Sequence, residues 1–326
     1  MSELKIKSGK FRIGNLLSKY SCGKTKNLAS ALFLISQLSV FAFLTSCATS
    51  GKLTSALSAA SDIASAAGYG EAGAVLNAGA SVSKAMEEIT PQNEYYIGRA
   101  VAATILSNYR VYSAPVSEAY LNKICGTIAI NSENPEPYNG YHVKILDSTE
   151  VNAFATSGGH IFITRGLLAC TNSEDALAGV IAHEMAHVQL QHSLKAIKTS
   201  RWTSAGIAAT GAAVSAAKKD SELAATMNDM VSDVVTNMVN NGYSKTQEFD
   251  ADALALTLMA NAGYNPSAML DMLSQLKTAQ GGKSGGMYKT HPSPDQRITS
   301  VNSALKKVSA PADTANYRKA RFTANK

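Results

Sequence analysis

The sequence predicts an α+β fold, mostly helical, with a small sheet beside one central helix. Three observations lead there. Long stretches between residues 93 and 305 carry apolar side chains at helical spacing. The segments YHVKIL (141–146) and HIFITRG (160–166) alternate as strands do. Between the short run VNAFAT (151–156) and HIFITRG, Ser157-Gly158-Gly159 reads as a turn.

The amino-terminal 46 residues stand apart from that fold. Residues 1–27 hold seven basic side chains and one acid, Glu3, ahead of the uncharged run LASALFLISQLSVFAFLTSC from Leu28 to Cys47. A basic start, an apolar middle and a small-residue boundary make a secretory signal. Leu44-Thr45-Ser46-Cys47 resembles the bacterial lipobox, in which the cysteine is lipidated and becomes the mature N-terminus; an uncleaved signal anchor is the alternative. The expectation is a signal peptide over 1–46 and a lipid on Cys47. The mature chain would then be exported and held to a membrane of the bacterial cell envelope through its lipid anchor. Ala48, where some lipoproteins have Asp, points by analogy to the outer membrane, facing the periplasm.

The chain has 30 basic and 24 acidic residues, but without the leader there are 23 of each. The net charge of +6 therefore belongs to the leader, and the mature chain has no basic field to attract nucleic acid. With 45% hydrophobic and 17% charged residues, the remainder suits a globular protein that buries a core. Cys22 leaves with the leader. Cys125 and Cys170 remain, either as two separate thiols or as a bridge, which an exported domain could keep.

Taken in order, residues 47–92 are rich in Ala, Ser and Gly and read as a tether with short helices. Two helices follow within 93–130, marked by Tyr95, Tyr96, Val101, Ile105 and Leu106, then by Tyr120, Leu121, Ile124 and Ile128. NSENPEPYNG (131–140) is a loop before the three strands. Thr171-Asn172-Ser173-Glu174 reads as a capping box opening a helix that continues through LAGVIAHEMAHVQLQHSLKAI. Residues 199–245 read as an Ala/Gly-rich helical excursion; its run SAGIAATGAAVSAA is too short and too rich in small residues for a membrane span. KTQEFDADALALTLMANAG is a further helix ending at Gly263 ahead of Pro266, and another lies around 267–280. A GGKSGG loop, THPSPDQRI and a basic tail over 306–326 close the chain.

The chemistry gathers at His183-Glu184-Met185-Ala186-His187. Histidines four apart on a helix share a face, so both imidazoles can reach one Zn²⁺ at about 2.0–2.1 Å. Glu184 projects beside them, where it can take a proton from a metal-held water. Zinc lowers the pKa of that water from about 15.7 to about 7. A catalytic zinc takes three protein ligands and keeps one position open. The third-ligand candidate is Glu248, in Glu248-Phe249-Asp250-Ala251-Asp252. Glu248 and Asp252 are again four apart, so one can bind metal while the other accepts the far N–H of a ligating histidine. Asp250 reads as a solvated acid at a helix start. His192, five on from His187, misses its face and reads as surface.

H-E-x-x-H, the glutamate in E-x-x-A-D and a downstream T-H-P…R together resemble the gluzincin metallopeptidases that include the CAAX prenyl proteases and the heat-shock protease HtpX. The resemblance covers roughly residues 93–305, which would form a zincin-like metallopeptidase domain with its small sheet beside the active-site helix. It implies one Zn²⁺ per chain held by His183, His187 and Glu248, with Glu184 as general base and Asp252 as the acid behind a ligand. It places Asn152 and Ala153 on an edge strand that pairs with substrate backbone. His291, on the T-H-P loop, would stabilise the oxyanion or cap the zinc in a latent form. Arg297 would hold that loop, with a surface ion pair as the alternative.

The function so implied is hydrolysis of peptide bonds by a zinc endopeptidase, with polypeptide substrates that are misfolded or misassembled envelope proteins. The alternative is a latent or chaperone-like binding lipoprotein whose zinc site the His291 loop keeps shut. A purely structural zinc fits less well, since such sites usually take four Cys/His ligands.

Overall fold

The computed structural model describes residues 57–62, 89–133, 137–195, 198, 235, 242–280, 290–291, 293–311 and 315–325. The chain divides into two compact units, Met1–Ala80 and Ser81–Lys326. The first contributes a helical stretch at 57–62, and everything below concerns the second. The expected signal segment, Cys47, most of the 199–245 excursion and the GGKSGG loop lie outside the described residues. Among the described residues, no helix is long and apolar enough to cross a membrane.

The second unit runs α1 (Pro91–Asn108), α2 (Pro115–Ile130), β1 (His142–Leu146), β2 (Ala153–Thr156), β3 (His160–Thr164), α3 (Arg165–Cys170), α4 (Glu174–Gln189), α5 (Lys245–Asn261), α6 (Ala268–Gln280), α7 (Pro294–Leu305) and α8 (Ala315–Asn325). The α+β expectation holds, mostly helical around a three-stranded sheet of order β1-β3-β2. β1 runs parallel to β3, and β2 runs antiparallel to it through the turn at Ser157-Gly158-Gly159. Both glycines there have positive φ, +79° and +91°, which explains their place in the turn.

The sheet is a middle layer, because its side chains alternate between two cores. Leu146, Phe154 and Phe162 face the core built on Ile97, Val101 and Ile105 of α1. Val143, Ile145, Ala153, Ala155, Ile161 and Ile163 face the larger core shared with α2, α4, α5 and α6. On β2 the side toward α4 carries only alanines, so that helix lies close against the strand. Gly98 does the same for α1: a Cβ there would fall 1.5 Å from the Ser157 carbonyl oxygen, so the helix can abut the hairpin turn only as glycine.

The central helix α4 is buried at every residue from Glu174 to Val188. Apart from its ionisable residues Glu174, Asp175, His183, Glu184 and His187, the helix is apolar or small on every side, as burial all round favours. Ala176, Ala178, Gly179, Ala182 and Ala186 supply that smallness, and a Cβ at Gly179 would rest 3.6 Å from the sulfurs of Met259 and Met269. The small side chains let neighbouring helices pack close on α4, with α5 the principal neighbour.

Two expectations need correction. The helix is not opened by a capping box at Thr171: Ser173 is the N-cap, accepting from the Ala176 N–H, while Thr171 ends α3. The reciprocal box belongs instead to α5, where Ser244 and Gln247 cap one another's backbone. The basic carboxyl-terminal segment is not a bare tail, since α8 docks with Phe322 and Arg318 buried. Its Arg318 Nε lies 2.8 Å from Asp175, and Arg321 pairs with Glu174, both acids in the first turn of α4. Cys125 and Cys170 are unbridged thiols.

Candidate metal centre

α4 presents His183, Glu184 and His187, and α5 brings Glu248 and Asp252 on the buried stripe it shares with Ala251, Ala255 and Leu256. The segment before α7 adds His291, and the first turns of α7 add Arg297. All seven side chains are at most 5% exposed, so HEMAH is no accident of a helix surface.

The Nε2 atoms of His183 and His187 lie 3.0 Å apart. Glu248 reaches both, Oε2 at 3.5 Å from His183 Nε2 and Oε1 at 3.4 Å from His187 Nε2. Ligand bonds of about 2.0–2.1 Å arranged as a tetrahedron put donor atoms about 3.3 Å apart. The three donors therefore stand at the spacing one divalent ion requires. His291 Nδ1 joins them, 2.7 Å from Glu248 Oε1 and 3.5 Å from His183 Nε2, so four potential donors face one point. Two buried carboxylate oxygens, Glu184 Oε1 and Glu248 Oε2, have no hydrogen-bond partner among the described residues. A cluster of imidazoles and carboxylates with unmet oxygen valence suits a divalent metal ion.

His183 and His187 each have a partner on the nitrogen turned away from Glu248. His183 Nδ1 is 3.0 Å from Asp252 Oδ1. Asp252 in turn takes Arg297, whose Nη2 also approaches His183 Nδ1 at 3.1 Å and whose Nη1 lies 3.6 Å from Glu248 Oε2. Arg297 is thus buried behind His183 and Glu248, so the surface ion pair is excluded; among the described residues its contacts run to α5 and α4. His187 Nδ1 meets His192 Nδ1 at 2.9 Å. The reading of His192 as a surface residue is corrected here: it is 1% exposed. Tyr243, for which the sequence offered no signal, stacks on the His187 ring at 4.1 Å between centroids and 18° between planes. Asp250 is exposed, as expected.

The charges follow from the packing. Burial raises the Glu184 carboxyl, against the lowering influence of His291 and His183, which suits a group meant to take up a proton. Burial would also raise Glu248, but the charge of His291 and hydrogen bonds from three histidines hold it well below the ordinary carboxylate range. Asp252 is lowered to about 2, because Arg297 and His183 outweigh its burial. His187 is lowered well below its ordinary value by burial and stays neutral.

Asn152 and Ala153 sit at the start of β2, the outer strand of the sheet. The Asn152 carbonyl accepts from the Thr164 N–H at 3.0 Å. By the alternation of an antiparallel ladder, the Ala153 backbone then faces away from β3. Its N–H is received by the Asn152 Oδ1 at 2.9 Å, and the same oxygen lies 3.4 Å from the Thr290 hydroxyl beside His291.

The profile of Peptidase family M48 matches residues 115–305, a span that includes α2 through α7. Among curated proteins, the chain is 28% identical over 182 residues to the mitochondrial metalloendopeptidase OMA1 of Schizosaccharomyces pombe, covering 54% of this chain and 50% of that one. It is 27% identical over 199 residues to the metalloprotease YcaL of Escherichia coli K12, covering 61% and 71%. It is 22% identical over 227 residues to the beta-barrel assembly-enhancing protease of Yersinia pestis, covering 68% and 44%. The matched region is thus about half the length of the first and third of these relatives.

Proposed function

We propose, since this chain belongs to peptidase family M48, that it is a zinc-dependent endopeptidase acting on misfolded or misassembled polypeptides of the cell envelope. One observation carries the reading: His183 Nε2, His187 Nε2 and Glu248 stand 3.0–3.5 Å apart with Glu184 beside them. A zinc ion held by these three would polarise a scissile carbonyl and acidify the attacking water. Glu184, buried and raised in pKa, accepts the proton of that water and delivers it to the departing amine. The outward Ala153 backbone offers an N–H to an extended substrate once the Asn152 side chain gives way. Asp252, accepting the far N–H of His183, keeps that ring turned toward the metal.

Relatives named as a metalloprotease and as a beta-barrel assembly-enhancing protease support protein substrates in an envelope setting. The basic-apolar leader ending at Cys47 supports export and a lipid anchor, with the outer membrane as the site of sorting.

A second reading, a latent site, is favoured by His291, which stands where a fourth ligand would close the metal to water. Casein degradation and zinc stoichiometry in the wild type, Glu184→Gln and His291→Ala test both. We expect one zinc per chain, activity abolished by Glu184→Gln and raised by His291→Ala. Zinc uptake with no hydrolysis in any form would favour a binding lipoprotein, and no zinc uptake would end both readings.

A further inference from the structure

His192 lies beyond the helix that carries the zinc-binding pair, yet it is brought back beneath that pair. α4 ends at Leu190, and the next residue, Gln191, has φ +53°, the only non-glycine in the left-handed region among the described residues. Left-handed residues after a helix end are usually glycine. Here the turn is held by side chains on both sides. Gln191 donates to Glu94 of α1 at 3.2 Å, and the Ser193 hydroxyl meets that of Ser157 in the hairpin turn at 3.0 Å. Between these two anchors the His192 ring is 1% exposed, with Nδ1 2.9 Å from His187 Nδ1 and Nε2 buried without a partner among the described residues. A ring kept only for packing gains nothing from an unpaired buried nitrogen, so the nitrogen that is paired has to explain the histidine.

We propose that His192 is a positioning residue for the metal: its Nδ1 accepts the Nδ1–H of His187 and thereby fixes His187 as an Nε2 ligand. The inference rests on the metal-site reading above. The proton follows from valence. His187 turns Nε2 toward His183 and Glu248; once that nitrogen gives its lone pair to a metal, the hydrogen of the neutral ring is on Nδ1. His192 then offers a bare Nδ1 and carries its own hydrogen on Nε2. The two ligating histidines are thus served differently. His183 has the carboxylate of Asp252 behind it, and His187 has a neutral imidazole, which orients the ring without placing a fourth buried carboxylate beside Glu184, Glu248 and Asp252.

The test compares zinc affinity of the full chain, by chelator competition, with that of His192→Phe and His192→Asn. Phenylalanine fills the space and removes the acceptor; asparagine places Oδ1 where Nδ1 stood. We expect zinc binding to weaken about 10–100-fold in His192→Phe and to recover most of the way in His192→Asn. In the zinc-loaded wild type, ¹⁵N-histidine spectra should show hydrogen on His187 Nδ1 and on His192 Nε2, a readout that needs no variant to fold. Wild-type affinity in His192→Phe, equal weakening in both variants, or the opposite tautomer would overturn the proposal while leaving the metal site standing. A wild type that takes up no zinc would overturn the metal reading, and this proposal with it.

Discussion

Arg297 grips Asp252 through two contacts, Nε to Oδ2 at 2.9 Å and Nη2 to Oδ1 at 2.6 Å, with neither side chain more than 2% exposed. The guanidinium is the only cation in contact with Asp252, His183 and Glu248 together among the described residues. Removing it takes the forked counter-charge from Asp252 and leaves only the His183 ring beside the two buried carboxylates; breaking a buried pair in this way typically costs about 3–5 kcal/mol. We expect Arg297→Ala to lower metal-free stability by about that much in urea unfolding. Arg297→Lys should recover only part, because an ammonium cannot repeat the forked contact. An Arg297→Ala chain with an unchanged midpoint would show that the pair contributes nothing net.

The helical period explains which site residues could be read in advance. His183 and His187, and again Glu248 and Asp252, are four apart within unbroken helices, so shared faces were legible from spacing alone. The same period misled at His192, because it was extended past Gln189, where α4 stops and the left-handed Gln191 reverses the chain. Tyr243 and the burial of Arg297 depend on how α5 packs on α4 and α7 on α5, a tertiary fact that no local pattern carries. The strands and their turn were legible because alternation and the glycines coincide. The docking of α8 was not, since an 11-residue run with three basic residues has the composition of a solvated tail.

Gly98 tests how closely α1 must approach the hairpin. Its missing Cβ would lie 1.5 Å from Ser157 O, and backbone cannot yield as a side-chain tip can. Gly98→Ala should therefore destabilise despite the better helix propensity of alanine, by about 1–3 kcal/mol or more. Thermal unfolding of the variant measures it; a gain in stability would mean that α1 is free to lift away.

The carboxyl-terminal helix offers a comparison of two arginines. Arg318 meets Asp175 with side chains 7% and 12% exposed, whereas Arg321 is 51% exposed where it meets the fully buried Glu174. If Arg321 is removed, Glu174 keeps the Tyr120 hydroxyl at 2.7 Å, and solvent screens the lost charge. We expect Arg318→Ala to cost about 2–4 kcal/mol and Arg321→Ala about 1 kcal/mol or less. Denaturant midpoints give the order, and the reverse order would contradict the burial argument.

Metal uptake should be coupled to a proton on His183. Burial and the Arg297 charge both oppose ionisation of this ring, yet hydrogen bonds to Asp252 and Glu248 prevail and raise it to about 9. His187, lowered by burial, carries no proton to displace. Below pH 9 a metal must therefore expel the His183 proton, so its apparent affinity rises with pH and levels off above that value. Because the folded pKa exceeds the ordinary histidine value of 6.5, the proton's contribution to metal-free stability is fully present below pH 6.5 and lost as pH passes through about 9. Zinc titration calorimetry at pH 7.5 in two buffers of different ionisation enthalpy should report release of about one proton. Affinity should climb up to tenfold per pH unit between 7 and 9. A flat affinity over that window, with no buffer dependence of the heat, would mean that His183 is already neutral before the metal arrives.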